Sequence, residues 1–270
     1  MKKTFVSNNP KISIKYSGIG DLLIFLHGIG GNKDNWDLNI PFLSKHFLCV
    51  AMDTRGYGDS EDYKGKLYFN HIIKDLLNIF QFFEKKKAHI IGLSMGGQIA
   101  CLFYEKHPNM VLSMVLCDTH FGLGNLEKDE IEKFINSRKR PLLEGLEPKD
   151  IALSVSKSLI GNSNNKSAIN QLINSMNKLH KESYLKTIDA SMSTFHDHIF
   201  PKIDVPTLIL VGENDKLTPP SMALKIHKLI RNSKFSIIDE AGHLTNIENP
   251  KIFNNEVLKF LKGLKFYKVI

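Results

Sequence analysis

Only three cysteines occur among the 270 residues. Cys49, Cys101 and Cys117 stand singly in the apolar settings Phe-Leu-Cys-Val, Ala-Cys-Leu-Phe and Val-Leu-Cys-Asp. No spacing among them would ligate zinc. They read as buried thiols packing as small hydrophobes, which points to a reducing compartment. Long apolar runs are missing too, and none approaches the roughly 20 residues that cross a bilayer. Lys2 and Lys3 lead to Ser7-Asn-Asn-Pro10 and not to an apolar segment, so no signal peptide is expected and the cytoplasm is the expected location. Neither G-x-x-x-x-G-K-[ST] nor a G-x-G-x-x-G after a strand is present, which argues against a nucleotide-binding loop. One H-x-H, His196 and His198, lacks an acidic or cysteine cluster to complete a metal site. No metal and no cofactor is expected. Basic residues exceed acidic ones, 36 against 28, but the only dense runs are Lys85–Lys87 and Ser137-Arg-Lys-Arg140. Charge so dispersed reads as a solvated surface, with no nucleic-acid partner and no membrane expected.

What is present is ordinary for a soluble core: 42% hydrophobic and 24% charged residues. The length accommodates one large α/β core with an insertion. Short apolar runs alternate with segments of helical period, which predicts a mostly parallel sheet with helices on both faces. The strands are expected at Ile12–Tyr16, Leu22–His27, Phe47–Asp53, His89–Leu93, Val111–Asp118, Thr207–Gly212 and Lys234–Asp239. One-faced helices are expected over Asn70–Phe83, over Met95–Lys106, and at the end, where Phe253, Val257, Phe260, Leu261 and Leu264 share a stripe. Between about Gly122 and Pro201 no strand-like run occurs. Amphipathic pieces follow one another there, Ile131/Phe134/Ile135, Ile151/Val155/Leu159, Ile169/Leu172/Ile173/Met176 and Tyr184/Leu185/Ile188. The expected organisation is a core made of residues 1–121 and 202–270, interrupted by a helical cap over 122–201.

Gly92-Leu93-Ser94-Met95-Gly96-Gly97 fits G-x-S-x-G, with an apolar strand before it and an amphipathic helix after it. Small residues at 92 and 96 permit a tight strand-to-helix turn, and the helix N-terminus aims free N–H groups at the serine. A serine hydroxyl needs a base, and in this arrangement acid and histidine follow the serine in that order. His243, in Glu240-Ala-Gly-His-Leu-Thr245 after the last strand, is the candidate base. Asp215, in Gly212-Glu-Asn-Asp-Lys-Leu-Thr-Pro219, is the candidate acid that orients it. Asp118 also ends a core strand and competes for that role, as does Glu213 within the same loop. Leu26-His27-Gly28-Ile29-Gly30-Gly31 follows a strand, and the N–H groups of Ile29 and Met95 are candidate donors to a tetrahedral oxyanion. His27 reads as a residue that holds this loop. Asp53-Thr-Arg-Gly-Tyr-Gly-Asp-Ser60 reads as a structural turn in which Asp53 and Arg55 tie neighbouring loops.

Together, His27–Gly31, Asp53–Ser60, Gly92–Gly97, Pro206-Thr-Leu-Ile-Leu-Val-Gly-Glu-Asn-Asp215 and Gly242-His243 resemble the motifs of the capped α/β-hydrolases, along nearly the whole chain. Gly92–Gly97 with Cys117-Asp-Thr119 looks most like the carboxylesterase and 3-oxoadipate enol-lactonase-like group. The resemblance implies an α/β-hydrolase fold and a cofactor-independent serine hydrolase that cleaves a small carboxylic ester or lactone through an acyl-enzyme. Relatives that use an aspartate nucleophile, the haloalkane dehalogenases and epoxide hydrolases, are disfavoured by Ser94. Two alternatives stay open: a C–C bond hydrolase of the meta-cleavage type with the same triad, and a hydrolase-like receptor for a small molecule. A dicarboxylate-like substrate would need a basic anchor, for which Arg138 and Arg140 are candidates.

Overall fold

The computed structural model describes residues 1–122, 127–194 and 197–264. One sheet carries β1 (Lys2–Val6), β2 (Ile12–Ser17), β3 (Leu22–Leu26), β4 (Leu48–Met52), β5 (Ala88–Leu93), β6 (Val111–Cys117), β7 (Thr207–Gly212) and β8 (Ser233–Ile238). The strands lie in the order β1-β2-β4-β3-β5-β6-β7-β8. The pairs β1·β2 and β2·β4 are antiparallel and the remaining pairs are parallel. The seven expected strands are all present, each within a residue or two of its expected ends. The strands β3, β4, β5 and β7 are buried throughout, which is why they read as continuous apolar runs. The edge strand β1 escaped the sequence reading. Its Lys2, Lys3 and Thr4 leave no apolar run, and lysines of this kind keep an edge from pairing with another chain. The strands flanking the Ser17–Asp21 turn are not neighbours, because β4 lies between them.

Eleven α-helical segments accompany the sheet among the described residues: α1 (Ile40–Leu43), α2 (Phe69–Phe82), α3 (Met95–Lys106), α4 (Lys128–Phe134), α5 (Arg140–Leu143), α6 (Pro148–Leu159), α7 (Lys166–Met176), α8 (Lys181–Met192), α9 (Pro220–Leu229), α10 (Thr245–Glu248) and α11 (Pro250–Gly263). Successive residues of a strand face opposite ways. On β3, Leu23 and Phe25 join one apolar cluster with Phe253, Val257 and Phe260 of α11. Leu22, Ile24 and Leu26 join another with Ile72 and Leu76 of α2 and Ile99 and Phe103 of α3. The three cysteines are buried and unbridged.

Between β6 and β7 lie α4–α8, with a π-helical turn at Ile135–Lys139 linking α4 to α5. Their apolar stripes, including Phe134, Ile151, Val155, Ile169, Leu172, Met176, Tyr184 and Ile188, merge into the cluster that contains Leu23 and Phe25. Polar links reinforce this seating. The Asn35 amide donates to Ser175 Oγ at 2.8 Å, Lys178 pairs with Asp34 at 2.8 Å, and Ser183 Oγ donates to Asp62 at 2.8 Å. The parallel strands point their carboxyl ends at the same edge, where the loops after β3, β5, β6, β7 and β8 converge beneath α6 and α7. In open α/β sheets this edge is where ligands bind.

Candidate active site

Ser94 stands between β5 and α3 with φ 53° and ψ −116°. Positive φ costs a non-glycine residue energy and persists only where surrounding contacts impose it. Here Ser94 N–H donates to the Cys117 carbonyl at 2.8 Å, and the Ser94 carbonyl accepts from Thr119 Oγ1 at 2.8 Å. The turn closes only with glycine at two positions. A Cβ on Gly92 would lie 2.3 Å from the Gly96 carbonyl oxygen, and one on Gly96 would lie 2.2 Å from the Leu26 carbonyl oxygen.

His243 Nε2 is 3.0 Å from Ser94 Oγ, and His243 Nδ1 is 2.9 Å from Asp215 Oδ2. All three residues are buried. Asp215 turns back on its own loop, its Oδ1 accepting from the N–H groups of Leu217 at 2.8 Å and Thr218 at 2.9 Å, while Thr218 Oγ1 donates to Oδ2 at 2.6 Å. A carboxylate that accepts bonds from the residues two and three ahead fixes its own loop. Burial pushes the Asp215 pKa up, but His243 and Thr218 outweigh it, and the carboxyl sits below its usual range. Burial pushes the His243 imidazole down, yet the Asp215 carboxylate and its hydrogen bond carry it above the ordinary 6.5. The pair is arranged to hold an imidazole with its proton on Nδ1 and its lone pair on Nε2 facing the serine.

Asp118 does not touch the imidazole. Its Oδ1 accepts from Gly212 N–H at 3.0 Å, and its Oδ2 accepts from Thr245 N–H at 3.2 Å and Thr245 Oγ1 at 2.7 Å. It therefore braces the loop after β7 against the residues that follow His243. Full burial and the neighbouring Asp215 charge raise its pKa well above the usual carboxylate range. Glu213, the other competitor, is exposed and its Oε2 accepts from Glu240 N–H at 3.1 Å.

The Gly28–Gly31 turn passes against the serine, since a Cβ on Gly28 would lie 3.1 Å from Ser94 Cβ. Ile29 is on that turn. Met95 opens α3, where the N–H has no carbonyl one turn earlier in the helix. His27 holds the turn as expected: its Nδ1–H donates to the Gly28 carbonyl at 2.8 Å and its Nε2 accepts from Thr54 N–H at 3.0 Å. Burial keeps its pKa low and the ring neutral, in keeping with that bonding. Asp53 ties its turn to the segment between β3 and α1, whereas Arg55 ties it to a helix and not, as expected, to a neighbouring loop. Asp53 pairs with Lys33 at 2.5 Å, and Arg55 pairs with Asp75 on α2 at 2.8 Å.

The cavity over Ser94 is about 30 Å³ and is lined by Ile29, Trp36, Leu159, Leu172, His243 and others. Leu159 and its neighbours reach further. The Leu159 carbonyl accepts from His243 N–H at 2.8 Å. Two residues on, Gly161 passes Gly242 so closely that a Cβ on Gly242 would lie 2.3 Å from Gly161 N. The end of α6 is thus bonded to the loop that carries the histidine, a backbone contact with no side-chain signature in the sequence. His198 Nε2 lies at the surface 3.1 Å from Glu105 Oε1, and His196 lies outside the described residues. Among the described residues, no group of three or more His, Cys, Asp or Glu side chains is placed to share a metal ion, and no helix is long and apolar enough to cross a membrane.

A family model described as alpha/beta hydrolase fold matches residues 21–250. A provisionally named 2-succinyl-6-hydroxy-2,4-cyclohexadiene-1-carboxylate synthase of Bacillus subtilis (strain 168) is 27% identical, over 96% of this chain and 97% of that protein. The 2-hydroxy-6-oxo-6-(2'-aminophenyl)hexa-2,4-dienoic acid hydrolase of Metapseudomonas resinovorans is 29% identical, over 91% of this chain and 85% of that protein. Among solved structures, a thermophilic esterase from Thermogutta terrifontis superposes with a TM-score of 0.86 at 23% identity, covering 97% of this chain and 99% of that one, a likeness of fold.

Proposed function

The chain belongs to the α/β-hydrolase fold family, and from that premise we propose that it is a serine hydrolase of small carboxylic esters or lactones. The observation that carries the reading is the continuous hydrogen-bonded line from Ser94 Oγ through His243 to Asp215, at 3.0 and 2.9 Å, set on the turn that opens α3. In this reading His243 Nε2 takes the hydroxyl proton as Ser94 Oγ attacks the carbonyl carbon. The N–H groups of Ile29 and Met95 receive the oxyanion, and Asp215 stabilises the imidazolium. The imidazolium returns its proton to the departing alkoxide. Water, deprotonated by the same ring, then releases the acid from Ser94. Turnover of p-nitrophenyl acetate and butyrate, with covalent labelling by a fluorophosphonate, tests the proposal; absence of both would overturn it.

His243 can accept the serine proton only while neutral. Its pKa is raised above 6.5, chiefly by Asp215 working against burial. Activity should therefore be full at alkaline pH and fall by about tenfold per unit below that raised value. A profile of kcat/KM from pH 5 to 9 on p-nitrophenyl acetate should place the acid midpoint above 6.5. A midpoint near the acidic end of that range would contradict the pairing with Asp215.

The segment 122–201 serves, in the same reading, as a lid. Leu159 of α6 and Leu172 of α7 border the cavity over Ser94, and Phe134 and Met176 are buried in the same cluster. Truncating Leu172 to alanine should raise the ratio of butyrate to acetate turnover by about tenfold, the scale on which apolar pockets discriminate methylenes. An unchanged ratio would remove α7 from the substrate's path. A second reading, hydrolysis of a dienoic acid across a C–C bond, has support in the name of the Metapseudomonas relative. Adding a 2-hydroxy-6-oxo dienoic acid to the ester panel separates the two.

A further inference from the structure

Three cationic side chains are buried among the described residues: Lys15, Lys33 and Arg138. Lys15 pairs with Asp34 and Asp37, and Lys33 pairs with Asp53 and Asp59. Arg138, 7% exposed, has no carboxylate within ion-pairing distance among the described residues. Its Nη1 donates to Ser137 Oγ at 2.9 Å and its guanidinium lies 4.6 Å from the Phe134 ring centroid. Among the described residues, those contacts leave most of the five donors of an arginine without a protein acceptor. Burying a charge without a counter-charge is costly. Arg138 also sits on the π-helical turn Ile135–Lys139, a geometry enriched at functional sites. Arg140, the other anchor expected from the sequence, is exposed.

Arg138 lines a cavity of about 350 Å³, together with Lys133, Lys216, Glu130, Phe134 and Leu159 among others. Three cations there face one carboxylate, and that one, Glu130, is exposed and accepts from Glu127 N–H at 3.2 Å. Leu159 also borders the small cavity over Ser94, so the two cavities share a wall residue. His243 feels the Arg138 charge as a small downward pull on its pKa.

We propose that the basic cavity is the acid-recognising arm of the active site: Arg138, with Lys133 and Lys216, receives a carboxylate, and the substrate is an ester or lactone bearing that carboxylate at the end remote from the bond that breaks. Leu159 is the threshold the substrate chain crosses. A planar guanidinium with free donors binds a carboxylate through two parallel hydrogen bonds, and the surrounding lysines add charge without geometry. This rests on Ser94 being the nucleophile, and the test distinguishes the two ideas.

The experiment compares p-nitrophenyl hydrogen glutarate with p-nitrophenyl pentanoate, after subtracting spontaneous hydrolysis, for the wild type, Arg138→Met and Arg138→Lys. The wild type should favour the anionic ester. Arg138→Met should lower the anionic-to-neutral ratio of kcat/KM by about tenfold or more, mainly through KM, and Arg138→Lys should restore part of it. Free glutarate should raise the Tm of the wild type and not that of Arg138→Met. Without ligand, Arg138→Met should melt no lower than the wild type, because it removes an uncompensated charge and keeps the packing on Phe134. An arginine with a merely structural role would lower that Tm and depress both esters alike. A preserved ratio in Arg138→Met, or no glutarate effect on the wild type, overturns the acid-recognising arm and leaves the serine reading standing. A glutarate shift lost in Arg138→Met, with neither ester turned over by the wild type, upholds the arm and overturns the serine reading.

Discussion

Ser94→Ala should lower kcat for p-nitrophenyl acetate by about 10⁶, the loss seen when a serine of this kind is removed from its triad, and should abolish fluorophosphonate labelling. Among the described residues the hydroxyl makes one side-chain hydrogen bond, at 3.0 Å to His243 Nε2. The strained backbone at this position, φ 53°, is held by main-chain bonds to Cys117 and Gly97 and by the Thr119 hydroxyl, none of which involves the serine side chain. The melting temperature should therefore change little. His243 remains in place through its Asp215 bond and through the Leu159 carbonyl. A folded Ser94→Ala protein that kept a substantial share of its turnover would sink the mechanism, because among the described residues no other side chain is bonded to His243 Nε2.

Asp215→Asn should lower kcat by about 10⁴ with KM nearly unchanged, since an amide opposite Nδ1 favours the wrong tautomer of the base. Asp118→Asn should do something different in kind. Both Asp118 oxygens accept, one from Gly212 and the other from Thr245. An asparagine can satisfy one side only and presents its NH₂ to a donor on the other, so the expected result is a lower Tm with a smaller loss of kcat. Steady-state kinetics and thermal melts on the two variants decide the matter. If Asp118→Asn were the one that lost four orders in kcat while Asp215→Asn did not, the acid would be Asp118.

That ambiguity shows where the sequence stops being sufficient. Asp118 and Asp215 each follow an apolar strand directly, and β6 and β7 are neighbours, so both carboxylates arrive near the histidine. What separates them is local: the Asp215 loop folds back to Thr218 and presents Oδ2 to the ring, while Asp118 is occupied by its neighbours. The Asp-Lys-Leu-Thr run carries a signal for that fold, since an aspartate that bonds residues two and three ahead is a known turn former. The parallel core was legible because strands covered on both faces must be apolar at every position, and β1 was not because an edge strand need not be. Arg138 and Arg140 could not be told apart from their letters. Arg138 lies within the π-helical turn and Arg140 just after it, and only the folded chain shows that Arg138 is buried while Arg140 is exposed. The bond from His243 N–H to Leu159 leaves no trace in the sequence, because any residue but proline offers the same main-chain atoms.

The crossing of Gly161 over Gly242 bears on how such proteins can diversify. The helices between β6 and β7 are not a detachable cassette. A segment transplanted from a relative would have to deliver a carbonyl where Leu159 has one and a residue without a side chain where Gly161 stands, or the loop bearing His243 would be displaced at its main chain. New specificities in this scaffold are therefore more accessible by changing side chains along α6 and α7 one at a time than by wholesale exchange, because the end of α6 helps to set the position of His243.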